Sequence, residues 1–209
     1  MTARRIVLLG PPGSGKGTQA VRLAASLGVP HISTGDLLRS EVQNRTALGR
    51  EAQRFMDRGE LVPDQVVAEM IKHRVQGTSG FVLDGFPRNV KQAQILESVT
   101  EVDRALHFRL DREEIVRRLS ARRVCSQCGR VYNLLSSPPQ NDALCDVCSV
   151  ALTQRTDDTP DVIARRIDVQ YAREIGPMLE FYRARSVLRE IDARGDIETV
   201  YRAACKALE

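Results

Sequence analysis

Apolar positions along the chain alternate between two periods. Ile6-Val7-Leu8-Leu9, within Arg5 to Leu9, is an unbroken apolar run ended by Gly10, which predicts a strand buried on both faces. From Lys16 to Leu27, Ala20, Leu23, Ala24 and Leu27 recur at helical spacing on one face. Val29 to Ile32 predicts a second short strand, Gly80 to Asp84 a third and Arg104 to Leu110 a fourth. Arg189 to Asp192, followed by Glu198 to Tyr201, predicts a closing strand and helix. Strands alternating with helices imply an α/β fold, a five-stranded parallel sheet with helices on both faces.

Two stretches break this rhythm. Thr34 to Val62 is helical and polar with no strand of its own. Cys125 to Thr156 carries four cysteines and two prolines and has little helical period. Both read as insertions on a βαβ scaffold. Beyond them, Pro160 suits a first helical position, with Asp158 or Thr159 as cap. A helix is predicted from there to about Ile175, broken or kinked at Gly176-Pro177.

Between the first strand and the first helix lies Gly10-Pro11-Pro12-Gly13-Ser14-Gly15-Lys16-Gly17-Thr18. A Gly-rich turn in that context lets backbone N–H groups converge on phosphate oxygens at a helix N-terminus, with Lys16 reaching the β- and γ-phosphates. Gly17 stands where Ser or Thr is usual, and the hydroxyl comes one later, at Thr18. The plain alternative is a strand–helix turn with no ligand. Asp84 ends the third strand at the carboxyl edge of the sheet, where it either caps a turn or faces Mg²⁺ or its bound waters.

Composition narrows the classes of function. The chain has 209 residues, with 31 Lys and Arg against 27 Asp and Glu, a net charge of +4. No run of five like charges marks a nucleic-acid-binding tail. With no Trp and only 4% aromatic residues, a base-stacking platform is poorly supplied. No segment is long and apolar enough for a signal peptide or a membrane span, so a cytoplasmic protein is expected. Cys125-Ser126-Gln127-Cys128 and Cys145-Asp146-Val147-Cys148 form two C-x₂-C pairs separated by 16 residues, a zinc-site spacing. A filled Cys₄ shell has no open position, so the site reads as structural. Four free thiols, a redox pair or a nucleic-acid-binding zinc ribbon are the alternatives, though Arg130 is the one basic residue in the enclosed loop. Cys205, in a C-terminal helical pattern, is expected to be a buried free thiol.

Asp84-Gly85-Phe86-Pro87-Arg88 and Ile32-Ser33-Thr34-Gly35-Asp36-Leu37-Leu38-Arg39 together resemble the adenylate kinase family, and the displaced Thr18 is usual in that family's loop. The resemblance runs from Arg5 to about Val200 and takes in Gly59-Glu60-Leu61-Val62-Pro63-Asp64, Arg122-Arg123-Val124, Gly129-Arg130-Val131-Tyr132, Arg155 and Arg166. It implies a Mg²⁺-dependent, reversible transfer of the ATP γ-phosphoryl group to AMP by a monomer whose partners are nucleotides, with no nucleic acid or membrane. By similarity, Gly13, Ser14, Gly15, Lys16, Gly17 and Thr18 hold the ATP phosphates. Arg118, Arg122, Val131, Tyr132 and Gly195 complete the ATP site. Thr34, Arg39, Glu60, Leu61, Val62, Gly85, Phe86, Pro87, Arg88 and Gln92 match the monophosphate site, and Arg155 and Arg166 close over the phosphates. Lys16, Arg88, Arg122, Arg155 and Arg166 are the implied catalytic set. The chain then divides into a core of residues 1–33, 63–121 and 159–209, a monophosphate-binding insertion at 34–62, and a long zinc-binding lid at 122–158.

Such a transfer brings two polyphosphate anions together, so their repulsion must be cancelled. Arginines suit this because the guanidinium stays charged and grips phosphate with two parallel bonds. Arg118 and Arg122 are four apart, which predicts one shared helix face. The nucleophile is already an anionic phosphate oxygen, so no general base is required, and His31, His73 and His107 need no catalytic role. A kinase for CMP, UMP or GMP is the rival in the same class, against which Thr34 and Gln92 look adenine-type. A GTP switch would need an Asn-Lys-x-Asp segment, which does not occur. A zinc-ribbon adaptor leaves the arginines unexplained.

Overall fold

A computed structural model describes residues 3–141 and 143–209; Met1 and Thr2, in the first expected core piece, and Asp142, in the expected lid, lie outside the described residues. Strands β1 (Arg5–Leu9), β2 (His31–Ser33), β3 (Phe81–Asp84), β4 (Arg104–Arg109) and β8 (Leu188–Asp192) form one sheet in the order β2-β3-β1-β4-β8, with every pairing parallel. This is the five-stranded parallel sheet that the alternation predicts.

Side chains alternate across each strand, so β1 serves two cores. Val7 and Leu9 pack with Phe81 and Leu83 under α2 (Thr34–Gln43), α3 (Ala47–Asp57), α4 (Asp64–Val75), α5 (Val90–Glu97) and α8 (Ala172–Arg183). Ile6 and Leu8 pack with Val82, Leu106 and Phe108 under α1 (Lys16–Leu27) and α9 (Ile197–Lys206). Two-sided burial is why the strands read as apolar runs. Ile115 and Leu119 of α6 (Arg112–Ser120) join Ile163 of α7 (Pro160–Arg165) in a third, smaller cluster. Helices α2 and α3 meet so closely at Gly49 that a Cβ there would stand 2.0 Å from the Glu41 carbonyl oxygen.

Several expectations need correction. The second strand starts at His31 and not at Val29, because the Val29 N–H is spent on the Ala24 carbonyl in the turn that caps α1. The segment rich in cysteines builds its own antiparallel sheet, in the order β6 (Val131–Asn133), β5 (Arg122–Cys125), β7 (Leu152–Thr153). Arg118 and Arg122 do not share a helix face. Helix α6 ends at Ser120, the Ala121 carbonyl accepts from Leu134, and Arg122 already pairs with Asn133 in β5. The helical run from Pro160 does not break at Gly176-Pro177. It passes through a π-helical stretch, Arg166–Tyr171, and continues as α8 to Arg183 with Pro177 inside. Proline removes one backbone donor there, while burial of Met178 and Tyr182 holds the following turns to the sheet. Cys205 is half-buried against the second core, not fully buried, because α9 packs through Val200 and Ala204.

Candidate functional site

The carboxyl ends of β1 and β3 lie side by side, with Leu8 opposite Asp84, and the glycine-rich loop leaves β1 there. Gly15 is the N-cap of α1 in a left-handed conformation and offers no side-chain cap, so the first N–H groups of that helix face the loop unpaired by a cap. Ser14 is buried and donates to the Pro11 carbonyl at 2.9 Å. The Lys16 ammonium folds back onto the loop, donating to the carbonyls of Gly10 at 2.8 Å and Pro11 at 2.7 Å. Burial pushes it down to about 8; Arg88, Arg166 and Arg122 add to that, and Asp84 opposes it. A Cβ on Gly17 would stand 3.2 Å from Asp84 Oδ2, so the loop passes close to that carboxylate. Thr18 is exposed one residue on.

Five arginines from five segments converge beside this loop. Arg39 on α2 bonds Asp36 one turn back. Arg88, just before α5, donates from Nε to the Gly85 carbonyl at 2.8 Å. Arg155 makes two parallel bonds to Asp157, at 2.8 and 2.5 Å. Arg166, in the π-helical stretch, lies 3.1 Å from Asp157 Oδ2 and 3.2 Å from Asp158 Oδ1. Arg122 grips Asp158 with bonds of 2.7 and 2.5 Å. Burial pushes Arg166 down to about 10, with Asp157 opposing and Arg122 and Arg155 adding to it. Burial likewise lowers Arg39, helped by repulsion from Arg155. Burial alone would raise Asp157, but the charges of Arg166 and Arg155 hold its carboxyl well below the usual range. The result is an array of buried guanidinium groups turned on one cleft.

That cleft is lined by Thr34, Arg39, Glu60, Leu61, Val62, Gly85, Arg88, Gln92, Arg155 and Arg166, together with Leu38, Met56, Val67 and Asp157. One wall is apolar and the other carries the arginines, which suits a base at one end and a phosphate at the other. Phe86 and Pro87 are buried behind it and shape the Gly85–Arg88 turn. Thr34 Oγ1 donates to the Asp84 carbonyl at 3.3 Å, joining the cleft to the end of β3.

The implied ATP-side residues divide. Arg118 donates from Nε to Glu114 at 2.6 Å and from Nη2 to the Ala193 carbonyl at 3.1 Å, which ties α6 to the loop containing Gly195. Val131 is exposed. The Tyr132 side chain is buried among the cysteines: its hydroxyl accepts from the Asp146 N–H at 2.9 Å and lies 3.4 Å from Cys145 Sγ.

The four thiols of Cys125, Cys128, Cys145 and Cys148 lie within 4.8 Å of one another. Around zinc with Zn–S distances of about 2.3 Å, the sulfurs of a tetrahedron stand about 3.8 Å apart. Cys128 and Cys145 Sγ are 3.7 Å apart, so this donor set fits a tetrahedral soft-metal site.

Sequence reasoning missed Asp157 and Asp158, whose side chains balance three of the arginines, and the part played by Asp64. An acidic pair three and two residues before a helix reads as ordinary capping; burial against arginines from other segments is invisible in one dimension. Asp64 stood inside a quoted motif, but its partner Gln92 lies 28 residues on.

Comparison with known proteins agrees with this geometry. The family profile described as "Adenylate kinase" matches residues 8–187. The chain is 43% identical over 213 residues to "Adenylate kinase" of Thermodesulfovibrio yellowstonii, covering 98% of this chain and 99% of that one. It is 43% identical over 214 residues to the protein of the same name from Streptomyces avermitilis, covering 98% and 97%. For that of Acidothermus cellulolyticus the identity is 44% over 212 residues, again covering 98% and 97%.

Proposed function

The chain belongs to the adenylate kinase family, and from that premise we propose that it moves the γ-phosphoryl group of ATP onto AMP, giving two ADP. It is a phosphotransferase acting on nucleoside monophosphates. The convergence of Arg39, Arg88, Arg155 and Arg166 on one cleft beside Lys16 is the observation that carries the reading. So much buried positive charge is stable only with anions to meet it.

In this reading AMP occupies the cleft, its base among Leu38, Val62, Val67 and Gln92 and its phosphate on Arg39 and Arg88. The loop from Gly13 to Thr18 takes the ATP phosphates, and Lys16 leaves its carbonyl partners for them. Arg122, Arg155 and Arg166 turn from Asp157 and Asp158 towards the transferring group. The acceptor oxygen of AMP is already ionised, so the residues act by alignment and charge neutralisation, not by proton transfer. Mg²⁺ bound with ATP would supply neutralisation of the phosphate charge. Asp84, close to Lys16 at the end of β3, is the carboxylate suited to hold that ion's waters. Residues 34–62 and 122–158 act as a monophosphate-binding unit and a lid that exclude water as the competing acceptor. Cys125, Cys128, Cys145 and Cys148 would hold zinc, which would supply folding free energy to the lid sheet, since that segment buries little else than Cys125, Tyr132 and Cys145. No helix among the described residues is long and apolar enough to cross a membrane, and the partners in this reading are nucleotides bound by a monomer.

The test is turnover of AMP, CMP, UMP and GMP with Mg²⁺-ATP, products being separated by chromatography. ADP from AMP alone, together with ATP and AMP formed from ADP, is the expected result. Preference for another monophosphate refutes the adenine assignment of Thr34 and Gln92 but leaves the arginine roles intact.

A further inference from the structure

At the start of α5 the side chain of Gln92 makes two hydrogen bonds of opposite kind. Its Oε1 accepts from the Arg88 N–H at 2.8 Å, and its Nε2 donates to Asp64 Oδ1 at 2.7 Å. A backbone N–H can only donate and a carboxylate can only accept. The amide therefore has one polarity; turned over, it would set N–H against N–H and oxygen against oxygen. Asn89 belongs to the same arrangement. Its Nδ2 donates to Asp64 Oδ1 at 3.0 Å, and its own Oδ1 accepts from the Gln92 N–H at 2.8 Å.

Helix capping explains part of this, namely the Asn89 cap and the return of Gln92 Oε1 to the backbone. It does not explain why Nε2 is tied to a carboxylate at the head of a different helix, α4. Gln92 is only 2% exposed and lines the cleft. After its two bonds it still has one Nε2 proton and one Oε1 lone pair to offer.

A 6-aminopurine presents a donor amino group beside a ring-nitrogen acceptor. A 6-oxopurine presents the reverse, a carbonyl acceptor beside a ring N–H donor. With the phosphate fixed on arginines, the base cannot turn over to exchange these edges. An amide of fixed polarity then matches one purine and opposes the other, whereas an amide free to flip matches both. We propose that Asp64 is a specificity-positioning residue, whose carboxylate joins the Arg88 N–H in fixing the polarity of the Gln92 amide, so that the cleft takes a 6-aminopurine monophosphate and rejects its 6-oxo counterpart. The inference rests on the placing of Gln92 against the base in the proposed function.

AMP and inosine monophosphate differ only at this edge. Their kcat/KM values with Mg²⁺-ATP are to be compared in the wild type, Asp64→Asn and Asp64→Glu. The AMP to inosine monophosphate ratio is expected to fall about tenfold in Asp64→Asn, where an acceptor-only carboxylate becomes an amide that can present N–H as well as oxygen to Gln92, and to recover in Asp64→Glu. Equal losses for both substrates, with the ratio unchanged, would make Asp64 merely structural and overturn the proposal. A wild type that uses both substrates equally would instead overturn the contact between Gln92 and the base, and the proposal with it. The wild type alone gives a second reading by NMR. The Gln92 Nε2 protons are expected to exchange with solvent at least about tenfold more slowly than those of free glutamine. Exchange at the free rate overturns the proposal whether or not either variant folds.

Discussion

Asp158 has no exposed side-chain surface, and both of its oxygens are used, by Arg122 and by Arg166. In the free protein this carboxylate keeps two buried guanidinium groups from facing each other uncompensated. Removing one partner of a buried pair costs about 3–5 kcal/mol, and a chain of this size shifts by about 2–4 °C per kcal/mol. Asp158→Ala is therefore expected to melt about 10 °C lower than the wild type, with much of the loss recovered when ATP and AMP analogues supply the missing negative charge. Calorimetry with and without nucleotides measures both; a variant that melts with the wild type would show the arginines to be independent of Asp158. The arginines were legible in the sequence because motif and order marked them. Their partners Asp157 and Asp158 were not, since nothing in a linear segment tells a helix-capping aspartate from one buried among guanidinium groups.

Among the elements, the three-stranded antiparallel sheet has the thinnest core. Strands β5, β6 and β7 enclose little beyond Cys125, Tyr132 and Cys145, with Cys148, Val150 and Leu152 half-buried around them. The parallel sheet, by contrast, is packed on both faces. Metal binding supplies folding free energy where a core cannot, so, with the four thiols holding a metal as proposed, removing it should loosen this element alone. In Cys148→Ser, or after chelation, amides of residues 122–153 are expected to lose hydrogen-exchange protection while those of β1, β3 and β4 keep theirs. Loss of protection throughout would mean that the three-stranded sheet and the core unfold as one unit. The C-x₂-C spacing announced four thiols gathered at one point, yet the three strands were not visible, because two to four residues each carry too little pattern. The helix from Pro160 to Arg183 erred the other way: Gly176-Pro177 looked like a stop, and packing of Met178 and Tyr182 overrode it.

For the whole molecule, the field at the glycine-rich loop is assembled from segments far apart in sequence. Lys16 feels Arg88, Arg122 and Arg166, and with burial they bring it from 10.5 to about 8. Between these two values the unfolded chain holds the Lys16 proton more tightly than the folded one. This group's contribution to stability therefore rises with pH across that window. Nucleotide binding responds in the opposite sense, because phosphate favours the charged ammonium. At pH 8 the free lysine is half-protonated, so ATP binding is expected to take up about half a proton, falling towards zero at pH 6. Titration calorimetry in buffers of different ionisation enthalpy reads this directly. Lys16→Met should abolish the uptake, and equal uptake in the variant would assign the proton to another group.

The sequence by itself determined the α/β class, the order of strands and helices along the chain, the glycine-rich turn before α1, the arginines and the cysteine pairs. Each of these is written locally, as a period, a turn or a spacing of a few residues. Only the tertiary structure decided which charges balance one another, that Gly17 lies close to Asp84, that Tyr132 packs among the thiols, and that Asp64 holds Gln92. These contacts join residues many positions apart, and their energies depend on burial and direction, which exist only after the chain has folded.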